Sequence, residues 1–311
     1  ILVTGVALGK VFFPGGSYRR TYDIALLRCN ADGSLDDGTA NDSTPGDAFG
    51  SGGALQLDFF GHYDSGADVA VDSAGRVVIV GETTLTDDSS TSRFALARLE
   101  SDGSPDPTFG SGTGDFAGKV VTDFPGREGA WRVTLLDGDE LLVAGYVNDA
   151  YSDSDFALAS YHANGELVST FGESGTVVTE CPFENDDYAR AVAVQADGKI
   201  VVAGGGPTLN GTSDFSLARY EPDGTLDVGF GTDGKVSTDF GGGQDVAGGI
   251  VVQADGKIVV AGTTEGDLAL ARYETNGSLD ESFGSGGTIT TDFGDAPALA
   301  SALALQSDGK I

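Results

Sequence analysis

The residues best suited to chemistry in this sequence are carboxylates. The chain of 311 residues contains 48 Asp or Glu against 17 Lys or Arg, a formal net charge of −31. Paired carboxylates serve as acid and nucleophile in glycosidases, and clustered ones bind divalent cations. Carboxylates that recur at one place in every copy of a repeat more often accept backbone N–H bonds at turns. We therefore expect most of them to be structural.

Six carboxylates could line the mouth of a central site as hydrolase acids: Asp64, Asp68, Glu128, Asp186, Asp187 and Asp245. Their spacing separates none of them as acid and nucleophile. The sequence also has no GxSxG, HExxH or P-loop motif. We expect no enzyme activity, and a carbohydrate-active enzyme with axial carboxylates is the alternative.

One turn, residues 30–36, gathers oxygen ligands around a glycine, and Asp32 and Asp36 are its calcium candidates. The turn lacks the spacing of an EF-hand loop, which ends in a bidentate Glu. The two cysteines, Cys29 and Cys181, show no CxxC or Cys/His spacing, so neither zinc nor a disulfide between them is expected. We predict no cofactor, with calcium as the exception to test.

Aromatic side chains beside carboxylates form a second group, in loops that differ between repeats. Such a mixture suits a sugar or peptide, because rings stack on apolar faces and carboxylates bind hydroxyls. The alternative is that these aromatic rings pack against their own strands. The predicted ligand-binding residues are Phe12, Phe13, Tyr18, Tyr63, Asp64, Arg127, Trp131, Asp186, Asp187 and Tyr188.

The charge and hydropathy exclude several partners. Nucleic-acid backbones and anionic membrane surfaces require clustered Lys and Arg, which this chain lacks. No apolar run approaches the roughly 20 residues of a membrane span. Hydrophobic residues make up 40% of the chain, enough for a buried core. We predict neither nucleic-acid binding nor membrane insertion.

These residues are positioned by a five-fold internal repeat. Segments resembling DFALARY have central leucines at positions 26, 96, 158, 217 and 270. A KIVVAG element, a Phe-Gly pair and a Thr-Asp-Phe element recur with them. Each repeat reads as four short apolar strands with Asp-Gly turns, and both turn residues are expected at positive φ. No window has a helical period.

Four-stranded sheets that cannot bury both faces alone become stable when they are repeated radially. The sequence therefore predicts an all-β, five-bladed β-propeller, with four antiparallel strands in each blade. We expect the ring to close by pairing the C-terminal strand, 301–306, with the N-terminal strand, 1–5. The predicted blades are residues 1–60 with 301–311, 67–124, 131–183, 188–240 and 246–293.

The patterns DFALARY, PDGSLDxxFGxGG, KVxTDFG and AVxxQxDGKIVVAG resemble the delta-sixty repeat, a bacterial β-propeller family of unknown function with a kelch-like blade order. The resemblance is sharp over residues 155–311 and looser before them. It implies an exported protein, extracellular or on the cell surface, and implies no reaction. From loops and resemblance together we predict a non-catalytic binding or scaffold module for a glycan or protein. A subunit of a self-assembling surface filament is the second alternative.

Overall fold

The chain forms five antiparallel sheets with almost no helix. The computed structural model describes residues 1–12, 18–39, 42, 47–86, 92–148, 154–180, 187–205, 213–241, 243–294 and 297–311. Sheet 1 contains β1 (Leu2–Phe12), β2 (Tyr18–Arg28) and β3 (Ala54–Leu57). Sheet 2 contains β4 (Asp64–Val71), β5 (Val77–Thr84), β6 (Ser92–Leu99) and β7 (Lys119–Thr122).

The remaining sheets each have four strands in sequential order. Sheet 3 contains β8 (Arg127–Leu135), β9 (Leu141–Asn148), β10 (Ser154–Tyr161) and β11 (Thr176–Thr179). Sheet 4 contains β12 (Ala189–Val194), β13 (Ile200–Gly204), β14 (Phe215–Tyr220) and β15 (Lys235–Thr238). Sheet 5 contains β16 (Asp245–Val252), β17 (Ile258–Thr264), β18 (Asp267–Tyr273) and β19 (Thr288–Thr291).

Five successive sheets of this kind are consistent with the predicted five-bladed propeller. In the described structure residues 301–306 form no strand, so sheet 1 has three strands instead of the predicted four. Ring closure therefore stays a prediction. The chain divides into two compact units, Ile1–Val143 with Tyr161–Leu167, and Ala144–Ser160 with Val168–Ile311.

The second and third strands of each four-stranded sheet supply the core. β5, β13 and β17 are continuous apolar runs, and nearly every residue in them is buried. In the first unit the core joins Ile24 and Leu26 to Ile79 and Leu99. In the second unit Phe215 and Phe230 pack with Val260. Apolar runs buried on both faces explain why these segments do not alternate with polar residues.

The hairpin turns differ from the prediction in one respect. In the turn 195–199, the Gly198 N–H donates to the Gln195 carbonyl at 2.9 Å, and Gly198 alone has positive φ, 84°. Asp197 stays at negative φ and accepts the Lys199 N–H with its side chain. This is a three-residue loop with a glycine bulge, so one residue, not two, needs the left-handed conformation.

A β-bulge explains the glycine that ends each KIVVAG element. The register of the first strand shifts between Ala189 and Ala191, and this brings the Tyr188 carbonyl onto Gly204. A Cβ at Gly204 would lie 1.8 Å from that oxygen. The same clash occurs at Gly81 with the Ser65 carbonyl. Only glycine fits opposite the bulge.

The predicted N-terminal strand, 1–5, is longer in the structure and belongs to a long hairpin. β1 and β2 pair residue by residue from Leu2 with Arg28 to Phe12 with Tyr18. Next to this hairpin, Cys29 is a free, half-buried thiol, while Cys181 lies outside the described residues. Within the described part of the chain, no helix is long and apolar enough to cross a membrane.

Candidate functional site

One of the predicted ligand-binding residues, Tyr63, belongs to an exposed pair of aromatic rings. The Tyr63 ring lies 5.7 Å from the Tyr22 ring, centroid to centroid, with the planes tilted by 57°. The two residues also form a parallel β-bridge, which fixes the rings against each other. Tyr22 and Tyr63 remain 50% and 38% exposed. The pair therefore offers a ring surface to solvent, whereas the next residues in the chain, Asp23 and Asp64, are buried.

A second predicted group lies at the start of sheet 4. The Tyr188 ring meets the Tyr146 ring edge-on at 5.0 Å, and the Arg190 guanidinium lies 5.6 Å from the Tyr188 centroid. Asp187 is buried, and its N–H donates to the Ser154 carbonyl at 2.6 Å. The preceding predicted residue, Asp186, lies outside the described residues.

The other predicted ligand-binding residues are separated from these groups in sequence. Phe12 and Tyr18 face each other as backbone partners at the end of the β1–β2 hairpin, and Phe13 lies outside the described residues. Arg127 is exposed at the start of β8, and Trp131 is half-buried in the same strand. Of the ten residues, Tyr63 and Tyr188 thus have ring partners, Tyr22 and Tyr146, that the predicted set does not contain.

Three carboxylates converge where sheet 1 meets sheet 2. Ligand atoms of Asp23, Asp58 and Asp64 all lie within 4.8 Å of one another. One Asp64 oxygen accepts the Phe59 N–H at 2.9 Å. Asp64 is fully buried, and this burial raises its pKa to about 6. Burial also raises the pKa of Asp23, although the Thr21 hydroxyl and the Gln56 amide bind its carboxylate.

The same construction recurs where sheet 4 meets sheet 5. Asp214, Asp239 and Asp245 bring their ligand atoms within 4.8 Å of one another. Asp245 is fully buried, accepts the Phe240 N–H at 2.8 Å, and has its pKa raised by that burial. We call these two groups the sheet 1 cluster and the sheet 4 cluster. The sequence offered Asp64 and Asp245 as candidate hydrolase acids, and the spacing gave no sign that Asp residues of the preceding repeat converge on them.

Sheet 2 has a cation at the corresponding place. Arg93 stands where the clusters have Asp23 and Asp214, and its Nε lies 2.6 Å from Asp123 and 3.5 Å from Glu128. Glu128 stands where they have Asp64 and Asp245, and it accepts the Phe124 N–H at 2.7 Å. Burial raises the pKa of Glu128 to about 9. At all three junctions a buried carboxyl accepts the N–H of a Phe. The third strand adds an Asp at two of the junctions and Arg93 at the third.

Both calcium candidates of the turn 30–36 bind other groups of the chain, although Oδ1 of Asp36 makes no hydrogen bond. Asp32 accepts the Ser34 N–H at 3.0 Å and the Ser34 hydroxyl at 2.6 Å, and these bonds lower its pKa. Asp36 binds the Arg28 guanidinium, while Asp42 and Asp47 bring ligand atoms within 4.8 Å of it. Calcium at this turn stays a prediction.

The Arg28–Asp36 contact belongs to a repeated clamp that the sequence analysis missed. In sheet 4 the Arg219 guanidinium binds Asp227 at 2.7 Å and lies 4.4 Å from the centroid of Phe230. The same guanidinium donates to the Thr275 carbonyl in the next repeat. Equivalent clamps join Arg98 to Asp106 and Arg272 to Asp280. The signal was present in the sequence, as an Arg and an Asp eight positions apart.

Backbone atoms make the same connection beside each clamp. The Gly231 N–H donates to the Asn276 carbonyl at 2.8 Å, and the turn glycine Gly277 lies against the Phe230 ring. Equivalent bonds run from Gly50 to Asp102, Gly110 to Asn164 and Gly172 to Asp223. The Phe-Gly pair of one repeat therefore receives the Asp-Gly or Asn-Gly turn of the next. We call this contact the corner joint.

A further candidate hydrolase acid, Asp68, has backbone partners as well. Asp68 accepts the Val69 N–H at 2.9 Å and the Val133 N–H at 3.0 Å, which ties β4 to β8.

A groove of about 790 Å³ runs between the turns 194–199 and 252–256 of sheets 4 and 5, and Lys199 and Arg219 contribute to its wall. Both cations bind Asp227, so they are neutralised within the fold.

The sequence and the fold were compared with known proteins. Residues 75–109, 195–230 and 253–283 match the family described as a domain of unknown function (DUF5122) beta-propeller. These segments hold the second and third strands of sheets 2, 4 and 5. The match supports a bacterial β-propeller domain of unknown function, while the delta-sixty name stays an expectation. No curated protein matches the chain.

Solved structures with similar folds share little sequence with this chain. An ulvan lyase of polysaccharide lyase family PL25, bound to -[GlcA(1-4)Rha3S]-, is 11% identical with a TM-score of 0.51. The comparison covers 88% of this chain and 61% of the lyase, and it shows the fold alone. A protein of unknown function from Bacteroides caccae is 12% identical over 88% of this chain and 70% of its own, with a TM-score of 0.45.

Proposed function

We propose that this chain is a non-catalytic, extracellular β-propeller module that binds a glycan through the Tyr22–Tyr63 pair. The observation that carries the proposal is the pair itself, two half-exposed rings held by a β-bridge. Aromatic faces of this kind stack on the apolar face of a sugar ring. The loops that differ between repeats then set which glycan binds.

The carboxylates support a binding role over an enzymatic one. Asp64, Asp245 and Glu128 each accept a backbone N–H from the preceding corner, and Asp68 accepts two N–H bonds. A general acid or nucleophile must reach its substrate, and these four groups serve the junctions between sheets. The ulvan lyase comparison supplies a fold, and no residue of a lyase site is transferred from it.

The test is a glycan array probed with the intact chain, followed by titration of any hit. We expect Tyr63→Ala and Tyr22→Ala each to weaken binding by about tenfold or more, since base or sugar stacking on an aromatic ring contributes on the order of 1–3 kcal/mol. Phe293→Ala, at another exposed ring, is the matched control and should leave binding unchanged.

Three results would contradict the proposal. An array without hits removes glycan binding, and a protein partner captured instead moves the ligand class to peptides. Turnover of an oligosaccharide that is lost in Asp64→Asn would establish the carbohydrate-active enzyme. An ordered array of subunits joined through their sheet edges would establish the structural alternative.

A further inference from the structure

The sheet 1 and sheet 4 clusters share an unsatisfied atom at the same place. In each, one oxygen of the fully buried Asp accepts the N–H of the Phe five residues before it, and the other oxygen has no hydrogen-bond partner. These unpartnered atoms are Oδ1 of Asp64 and Oδ1 of Asp245. Both belong to the groups whose ligand atoms converge within 4.8 Å.

An arrangement of this kind is unfavourable without a positive charge. A buried carboxylate oxygen that makes no hydrogen bond loses its hydration without compensation, and two further carboxylates repel it. The Thr83 and Thr264 hydroxyls lie close enough to lower the pKa of Asp64 and Asp245, yet neither completes a hydrogen bond to Oδ1. Each cluster therefore presents a buried oxygen that a cation would satisfy.

In sheet 2 a basic side chain, Arg93, takes the place of Asp23 and Asp214. There the Glu128 carboxyl repeats the backbone bond of Asp64 and Asp245, and its second oxygen, which also makes no hydrogen bond, lies 3.5 Å from the Arg93 Nε. The same guanidinium also binds Asp123, the counterpart of Asp58 and Asp239. Where the third strand supplies Arg93, the cation is part of the chain. Where it supplies Asp23 or Asp214, the third strand places a carboxylate instead of a basic side chain at this position.

We propose that the sheet 1 cluster and the sheet 4 cluster each bind one calcium ion, in the place that the Arg93 guanidinium takes in sheet 2. Calcium binds oxygen at about 2.3–2.6 Å, so two of its ligands stand up to about 5.2 Å apart, and ligand atoms within 4.8 Å of one another can share one ion. Calcium prefers carboxylate oxygens, whereas zinc prefers nitrogen and sulfur. The all-carboxylate donor set of both clusters therefore fits calcium.

The ion has a route in from solution. Asp58 and Asp239 are exposed, whereas Asp64 and Asp245 are buried, so each cluster runs from the surface to a closed end. The exposed members hold a following glycine N–H with one oxygen, Gly61 for Asp58 and Gly241 for Asp239. Calcium would thus tie a third strand, a fourth strand and the first strand of the next sheet together.

The decisive experiment is calorimetric titration of the EDTA-treated chain with CaCl₂. We expect two sites, with dissociation constants on the order of 10⁻⁴–10⁻³ M, the range of extracellular calcium modules. Asp64→Asn and Asp245→Asn should each remove one site, and the double variant should remove both. Far-UV circular dichroism and urea unfolding of every variant verify that it is folded.

Two further variants keep the proposal falsifiable if the Asn variants unfold. Asp214→Arg copies the arrangement of sheet 2 and should abolish the sheet 4 site while the fold is retained. Arg93→Asp should create a third site by completing a carboxylate group with Asp123 and Glu128. Asp102→Asn, at an exposed turn, is the matched control and should leave the stoichiometry unchanged.

The proposal is overturned if no saturable calcium binding is seen, or if the stoichiometry is the same in the wild type, Asp64→Asn and Asp245→Asn. Sites lost in Asp36→Asn instead would assign calcium to the turn 30–36. Glycan binding measured in EDTA is independent of these results, so failure of the calcium sites leaves the proposed function open to its own test.

Discussion

At the scale of single residues, one buried hydrogen bond joins neighbouring sheets at several junctions. The Tyr273 hydroxyl meets the Thr238 hydroxyl at 2.8 Å, and Tyr161 meets Thr122 at 2.7 Å. Between sheets 1 and 2 the same two positions are Leu99 and Leu57, which pack in one core cluster. The junction thus accepts either a complete polar pair or a complete apolar pair.

This pairing predicts a strong coupling between Tyr273 and Thr238. Tyr273→Phe and Thr238→Val should each lower the free energy of unfolding by about 1–3 kcal/mol, because each leaves a buried hydroxyl unsatisfied. The double variant should cost less than the sum of the two single variants. Urea unfolding of the four proteins measures the cycle, and additive costs would show that the two hydroxyls act independently.

Glu128 predicts a specific dependence of stability on pH. Its pKa is raised to about 9 in the folded chain, whereas an unfolded Glu ionises near 4.3. The neutral carboxyl therefore stabilises the fold fully below about pH 4.3, and this contribution is lost as pH rises toward 9. Glu128→Gln cannot ionise, so its stability relative to the wild type should increase steadily between pH 5 and pH 9.

Urea midpoints at several pH values measure this difference, and Glu166→Gln, an exposed Glu, controls for the removal of one charge. A difference between Glu128→Gln and the wild type that stays constant from pH 5 to pH 9 would show that Glu128 is ionised in the fold.

The sequence alone could not have located the sheet 1 cluster or the Tyr22–Tyr63 pair. Asp23, Asp58 and Asp64 belong to three separate strands or loops, and nothing in their spacing shows that the third is buried and the second exposed. The aromatic Tyr63 was predicted as a surface residue from its variable loop, but its stacking on Tyr22 depends on the β-bridge between them. Burial and convergence are tertiary properties, set when two sheets pack.

At the scale of the elements, the clamp and the corner joint hold successive sheets together. The Arg219 guanidinium is almost fully buried and makes three kinds of contact at once: an ion pair, a carbonyl bond and a ring stack. A planar, five-donor group is required for this combination, since an ammonium has neither the fork nor the stacking face.

Arg219→Lys should therefore be destabilising even though it keeps the charge. We expect a loss of about 2 kcal/mol, the size of a desolvated cation–π contact, with the lost carbonyl bond adding to it. Arg127→Lys, at an exposed position, should change the stability by less than about 0.5 kcal/mol. Thermal unfolding compares the two, and equal midpoints would show that only the charge at Arg219 matters.

The strands themselves were predictable because their signals are local. Apolar runs of five to eight residues, bounded by Asp-Gly turns, identified the second and third strands of every four-stranded sheet. The extension of β1 and β2 to Phe12 and from Tyr18 was missed, because the segment 6–22 mixes aromatic, basic and glycine residues. The bulge opposite Gly204 was also missed, since only the register of pairing reveals it.

At the scale of the whole molecule, repetition explains why the fold class could be predicted and the site could not. Five copies of one pattern identify the repeating sheet, and three matching segments agree with a β-propeller. A function requires what differs between copies, such as Arg93 against Asp23 and Asp214. These differences become interpretable only when the structure shows that the three residues occupy equivalent places.

The corner joint also bears on how such a chain could arise. Sheet 3 has Ser160 and Val168 where the clamp has Arg and Asp, yet Gly172 still donates to the Asp223 carbonyl at 2.7 Å. The joint is thus made by the main chain, and each repeat carries both its donor and its acceptor half. A gene segment encoding one repeat would bring a compatible interface with it when duplicated or exchanged by unequal crossing-over, leaving its loops free to diverge.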